Sequence, residues 1–475
     1  MLFNTPQFFI FIVLVFIAAH FLRSPRQATY FYLVCSYFFY MMWNPVFVLL
    51  LGFSSIVNHF FARWIHCSLK GKRAKLVLAV AFNLILLGFF KYFAFFQSSL
   101  ELLSGGNWVA SEFSTQIVLP VAISFYTFHA LSYLIDCYRG ILVPATLAEF
   151  SLYIAFFPHL VAGPIVRAAH LIPQIQTPRQ PKITPEILLL ILRGLVKKAI
   201  FADNMAPFTS TVFANPANFP SVIIWLAVLA FTIQIYCDFS GYTDIAIGVA
   251  RALGFEFPQN FDRPYFSRTP TEFWRRWHIS LSTWLRDYLY VPLGGNRLGA
   301  ARTYLNLMIT MVLGGLWHGA SWNFVLWGAF HGALLGIYRW LDIDEKLRGA
   351  GKFANFVSWA VNLFWIQISW LIFAITDTHR LGVALHKLII FDFNFNLAGI
   401  GLGPLSFFST LLLMALFAAL HTWSYYKPSG IDGFLAAQSH KAWFPIALFL
   451  MAIAYYFLLP SNELPFIYFQ FYFQF

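Results

Sequence analysis

The chain has 475 residues, 60% of them hydrophobic and only 11% charged, with a formal net charge of +12. Soluble domains carry about 25% charged residues, so a soluble globular protein is excluded and an integral membrane protein is implied. The basic residues are spread through short loops between apolar runs, as the positive-inside rule has it, which speaks against a nucleic-acid partner, and the four cysteines (Cys35, Cys67, Cys137, Cys237) lie too far apart for a disulfide framework or a zinc site.

In chain order, apolar runs of spanning length fall near 8–22, 28–43, 46–62, 76–96, 116–135, 220–236, 303–317, 322–340, 355–375, 406–423 and 442–460. The first run lacks a basic leader and a small-residue cleavage site, so it reads as a retained helix and not as a signal peptide. The segments 150–165, 186–202, 240–255 and 271–293 are shorter or more charged and read as re-entrant or interfacial helices. The basic cluster Arg63, Lys70, Lys72, Arg73 and Lys75 marks a cytoplasmic loop, which places the N-terminus outside, 97–114 outside and Arg139 inside. With no linker, low-complexity stretch or soluble boundary, the expectation is one all-α membrane domain over 1–475, with about eleven spans plus the re-entrant or interfacial helices.

Ionisable and helix-breaking residues at membrane depth usually face a cavity or a partner. In "FFPHLVAGPIVR" (156–167), Pro158, Gly163 and Pro164 break any helix, as a plain kink or beside a water-filled site. In "QIYCDFSGYTD" (234–244), Asp238 and Tyr242 are i,i+4 neighbours, as are Ser240 and Asp244, and Gly241 admits a second backbone. That stripe either lines a substrate tunnel or forms an internal hydrogen-bond network. The densest stretch is "TPTEFWRRWHISLSTWLRDYLYVPLGGNR" (269–297), followed by "LGGLWHGASWNFVLWGAFHG" (313–332). Arg275, Arg276, Arg286 and Arg297 suit phosphates or lipid headgroups. His318 stands in an apolar run among Gly314, Gly315 and Gly319, where small neighbours would leave a substrate atom room at the imidazole. His331 follows thirteen residues later, about 220° around an ideal helix, so the two should not share a face and a metal pair is not expected. With no His-Glu-x-x-His and no Gly-x-Ser-x-Gly, the chemistry left to His318 is that of a metal-free general base or acid.

The long block "CDFSGYTDIAIGVARALGFEFPQNFDRPYFSRTPTEFWRRWHISLSTWLRDYLYVPLGGNR", the block "LGGLWHGASWNFVLWGAFHG", the segments "SFYTFHALSYLIDCYRG" (124–140) and "FFPHLVAGPIVR", and the ending "FIYFQF" together resemble the membrane-bound O-acyltransferase family. The similarity is greatest to its bacterial branch acting on cell-surface polymers: alginate and peptidoglycan O-acetylation and the D-alanylation of teichoic acids. The resemblance implies a ring of tilted helices around a central funnel, His318 of "LWHG" at the family's invariant histidine, and His278 of "RRWHIS" at its upstream polar position.

It also implies acyl transfer in a bacterial inner membrane. A thioester, expected to be acetyl-CoA, enters from the cytoplasm; His318 acts as base; His278 orients the donor or stabilises the oxyanion. The expected substrate-binding set is Asp238, Tyr242, Arg275, Arg276, Trp317 and Asn323. The expected partners are a periplasmic acetyltransferase of the SGNH-hydrolase type and proteins of polysaccharide synthesis and export. The tail repeats Tyr-Phe-Gln-Phe, at 468–471 and 472–475. It reads either as an aromatic interface anchor or as an acyl relay, with Tyr468 the acceptor by match to the family and Tyr472 a substitute. D-alanyl transfer is the alternative within the enzyme class, although there the terminal motif belongs to a separate peptide. A transporter or flippase, or a non-catalytic scaffold, is the alternative outside it; a transporter's repeated halves are not visible in the sequence.

Overall fold

The computed structural model describes residues 1, 3–104, 117–161, 163–394 and 403–427. Among these the regular structure is entirely helical, with no strand. Five helices are long and apolar enough to cross a bilayer: Pro45–His66, Lys72–Leu103, Ser221–Ala252, Lys352–Ala374 and Phe407–Tyr426. Large apolar side chains such as Leu49, Ile85, Phe353 and Leu412 stand exposed on these helices, as a surface facing lipid requires. The expected span at 442–460 lies outside the described residues.

The chain divides into two compact units, Met1–Ile187 with Ala246–Pro258, and Leu188–Ile245 with the described residues from Gln259 onward. The first unit contains α1 (Pro6–Ala19), α2 (Pro25–Met41), α3 (Pro45–His66), α4 (Lys72–Leu103), α5 (Ile123–Tyr138), α6 (Leu147–Ala155), α7 (Phe157–Leu160) and α8 (Ala168–Ile175). Thr5, Ser24 and Asn44 cap the first three, each followed by proline as the first helical residue, the position where its missing N–H costs nothing. Helices α3 and α4 are tied by Asn58 and Asn83, whose buried amides bond each other at 3.1 and 2.7 Å. The break in 156–167 is held by Ser36 Oγ, which accepts the Phe157 amide at 3.2 Å. Gly163 belongs to that break, because a Cβ there would lie 2.5 Å from His159 Cα.

The second unit holds most of α9 (Pro185–Leu195), the π-helical turn Val196–Ala202, α10 (Asp203–Ala214) and the larger part of α11 (Ser221–Ala252). It continues with α12 (Pro270–Arg276), α13 (Ile279–Leu285), α14 (Ala300–His318), α15 (Trp322–Trp340), α16 (Ile343–Lys346), α17 (Lys352–Ala374), α18 (Thr378–Ile389) and α19 (Pro404–Tyr426). One expectation is corrected here: the run 220–236 and the segment 240–255 are a single 32-residue helix, α11. The polar stripe does not interrupt it, since it contains no proline and its carboxylates find cations, as described next.

Candidate active site

The stripe on α11 is occupied by an ion network. Lys198, on the π-helical turn, sets its Nζ 2.6 Å from Asp238 and 2.7 Å from Asp203, with all three side chains buried. The same ammonium lies 5.6 Å from the Tyr242 ring, so Asp238 and Tyr242 share a face as their i,i+4 spacing predicts. Six residues after Asp238 on the same helix, Asp244 takes Arg193 at 2.9 Å and Lys197 at 2.7 Å. Gly241 does bring a second backbone close, since a Cβ there would sit 2.8 Å from Gly194 O.

The helix that carries this network also reaches the first imidazole, because the Phe239 ring meets that of His278 edge-on at 4.6 Å. His278 stands between two short helices. Thr269 caps α12, its Oγ1 accepting the Glu272 amide at 3.1 Å, with Pro270 in the first turn. The helix ends at extended Trp277, and His278 then turns left-handed at φ 43° and ψ 54° before α13 begins. For a residue with a Cβ that conformation costs about 1–2 kcal/mol and persists only where its surroundings fix it. His278 is 0% exposed, and neither ring nitrogen has a hydrogen-bond partner among the described residues. It lies outside the membrane-length helices, and burial drives its pKa down to about 3, which leaves the neutral imidazole with one N–H and one lone pair.

His318 closes α14, and α15 starts at Trp322 after a sharp break at extended Gly319. Its ring, 2% exposed, is boxed by Trp317 at 5.1 Å, Trp327 at 5.1 Å and Phe373 at 5.4 Å. Its centroid lies 6.4 Å from that of His278, and Trp317 touches both rings, 5.8 Å from His278. The two imidazoles thus stand beside one another with one indole packed against both. The aromatic walls exclude water and so strengthen any charge interaction inside.

Two expectations about this segment are corrected. Gly315 and Gly319 do not open space for substrate at the imidazole: a Cβ at Gly315 would lie 2.1 Å from Phe324 O, and one at Gly319 would lie 2.1 Å from the Phe324 ring. Gly315 and Gly328, whose Cβ would meet Met311 O at 2.4 Å, let α14 and α15 pack backbone to backbone. The ideal-helix estimate for His331 also fails, because His318 and His331 belong to different helices. Both rings pack on Trp327, His331 at 4.7 Å. His331 is further enclosed by Trp274 at 5.2 Å and stacked on Phe273 at 6.2 Å. Neither of its ring nitrogens has a hydrogen-bond partner among the described residues. A third imidazole thus stands one indole away from His318, and only the break at Gly319 could have signalled it.

Of the remaining candidates, Asn323 donates to the Ile372 and Phe373 carbonyls at 3.3 Å each, which ties α15 to the helix whose Phe373 walls His318. Arg276 bonds Glu272 at 2.9 Å and the Asp262 carbonyl at 3.3 Å. Arg275 is exposed on α12. His278, Trp317 and His318 are therefore brought together; Asp238 and Tyr242 lie in the ion network, and Arg276 is engaged by Glu272 on its own helix and by the Asp262 carbonyl. Tyr468 and Tyr472 lie outside the described residues.

The model of MBOAT, the membrane-bound O-acyltransferase family, matches residues 138–375, which include both imidazoles. The chain is 41% identical over 382 residues to the Pseudomonas aeruginosa protein named "Probable alginate O-acetylase AlgI", covering 78% of this chain and 72% of the relative. It is 33% identical over 410 residues to the peptidoglycan O-acetyltransferase of Helicobacter pylori, covering 78% and 77%. To the teichoic acid D-alanyltransferase of Streptococcus thermophilus it is 30% identical over 227 residues, covering 45% and 55%. With a family model over half its length and relatives matched over most of theirs, the chain belongs to the membrane-bound O-acyltransferase family.

Proposed function

We propose that this acyltransferase passes an acetyl group from a cytoplasmic thioester, acetyl-CoA, toward an extracytoplasmic polysaccharide across a bacterial inner membrane. The observation that carries the reading is the pair of buried imidazoles, His278 and His318, 6.4 Å apart with Trp317 against both. His318 takes the proton of an acceptor hydroxyl as its oxygen attacks the thioester carbonyl carbon. The C–S bond breaks, His318 returns the proton to the departing thiolate, and the acetyl ester remains on the acceptor. His278, neutral and with no competing hydrogen bond among the described residues, donates to the carbonyl oxygen as it gains charge. Arg275, exposed on α12, binds the donor's phosphates in this reading. The acceptor that leaves the site is a tail tyrosine, Tyr468 or its repeat Tyr472. A periplasmic partner of the SGNH-hydrolase type then moves the acetyl group to the glycan, alongside the proteins of polysaccharide synthesis and export. D-alanyl transfer is the weaker reading, since the D-alanyltransferase match spans 45% of this chain against 78% for the O-acetylases.

The test is polymer acetylation by His318→Ala. The expected result is a loss of about 10²–10⁴-fold with the protein still accumulating in the membrane. Near-normal acetylation would remove His318 from the chemistry. His278→Ala is expected to lose less and to retain measurable turnover.

A further inference from the structure

His278 is the residue immediately before α13, the position whose own side chain normally bonds the first free amides of a helix. Its ring makes no such bond. The amides are satisfied by a residue eighteen positions upstream. Asn260, 1% exposed, accepts the Ile279 amide on its backbone carbonyl at 2.9 Å. Its side-chain Oδ1 accepts the Ser280 amide at 3.2 Å and the Ser280 hydroxyl at 2.8 Å. Its Nδ2 points to Thr243 Oγ1 at 3.5 Å, one helical turn along α11 from the Phe239 ring that packs on the imidazole. On the other side of His278, the Asp262 amide donates to the Arg276 carbonyl at 2.9 Å. The segment 260–262 therefore grips the chain on both sides of the left-handed residue. The capping duty is transferred to Asn260, neither His278 ring nitrogen is engaged by a described residue, and the ring packs 5.8 Å from Trp317 and 6.4 Å from His318.

We propose that Asn260 is a positioning residue for acyl transfer: a remote cap that holds His278 in its left-handed turn and keeps its imidazole available to substrate. The proposal rests on the reading that His278 works in the transfer, and a double-mutant cycle separates the two. The variants are Asn260→Ala, Asn260→Asp, His278→Ala and the double Asn260→Ala/His278→Ala, assayed as acetyl transfer per amount of membrane-extracted protein. Asn260→Ala should lower kcat by up to about 10²-fold, the scale of a misplaced catalytic group, with KM for the acetyl donor little changed. Asn260→Asp, which keeps the Oδ acceptors for Ser280, should recover most of the rate. In the His278→Ala background the Asn260 change should cost less than about twofold more, because residues acting as one unit are not additive. A full additional loss in that background, or a silent Asn260→Ala, would overturn the proposal. A silent His278→Ala would instead refute the role of His278 itself. Should Asn260→Ala fail to accumulate, Ser280→Ala removes the hydroxyl bond to Asn260 and keeps the amide bond. It is expected to lower the rate about fivefold in the native background and not in His278→Ala; no effect in either overturns the proposal.

Discussion

At the residue scale, the cation that holds Asp238 of the second unit's polar stripe is Lys198. It serves two carboxylates, Asp203 and Asp238, at 2.7 and 2.6 Å in surroundings with almost no solvent. A buried ion pair contributes little beyond its desolvation cost, but removing one partner leaves buried charge uncompensated at about 3–5 kcal/mol. Lys198→Ala should therefore reduce the folded protein recovered from membranes and lower its melting midpoint in detergent, whereas Lys198→Arg should retain part of both. An unchanged midpoint in Lys198→Ala would show that the carboxylates are solvated or protonated in the membrane. The same reasoning explains why Asp238 was ambiguous as a letter in the sequence. Its i,i+4 relation to Tyr242 was legible, but the lysine forty positions earlier that faces both was not.

At the element scale, the geometry around His318 depends on how closely α14 and α15 approach. Gly315 and Gly328 face backbone atoms of the opposite helix at distances no Cβ tolerates, whereas a Cβ at Gly336 would make an ordinary 3.7 Å contact with Tyr304. Gly315→Ala should force the two helices apart and destabilise by about 1–3 kcal/mol or more, read as a lower melting midpoint together with lost transferase activity. Gly336→Ala, on the same pair of helices, should be neutral or slightly stabilising through helix propensity. Equal midpoints for the two variants would mean that the pair relaxes easily and that its spacing does not set the site. This is also where the sequence misled. Read as one apolar run with a histidine, the glycines looked like room for substrate, and His331 fell on the wrong face because the break at Gly319 was not counted.

At the scale of the whole molecule, the chain is a multi-pass acyltransferase whose relatives include O-acetylases of alginate and peptidoglycan. The proposed acceptor belongs to the tail at 468–475, outside the described residues. A relay and an interface anchor make different demands on that tail: the relay needs a phenolic oxygen, the anchor only an aromatic ring. Changing Tyr468 and Tyr472 together to Phe keeps the rings and removes the oxygens. Loss of glycan acetylation, with the membrane level of the protein unchanged, is the expected outcome. Preserved acetylation would make the tail an anchor. Comparing the two single changes identifies which repeat carries the acetyl group.

The sequence by itself determined the membrane class and the family and put forward the two candidate imidazoles, because these are written locally: in composition, in apolar run length and in unbroken motifs around His278 and His318. Phe239 beside Asp238, Trp317 beside His318 and the i,i+4 face on α11 were likewise within one or two turns of a recognisable feature. What the tertiary structure decided were relations between distant segments. Lys198 is set against Asp238, Asn260 caps the turn after His278, Phe324 fills the spaces beside Gly315 and Gly319, and one indole, Trp327, is shared by His318 and His331. Helical periodicity fixes which residues share a face of one helix. Which face of another helix packs against it is set by the packing of the whole unit, and no local spacing in the chain encodes that choice.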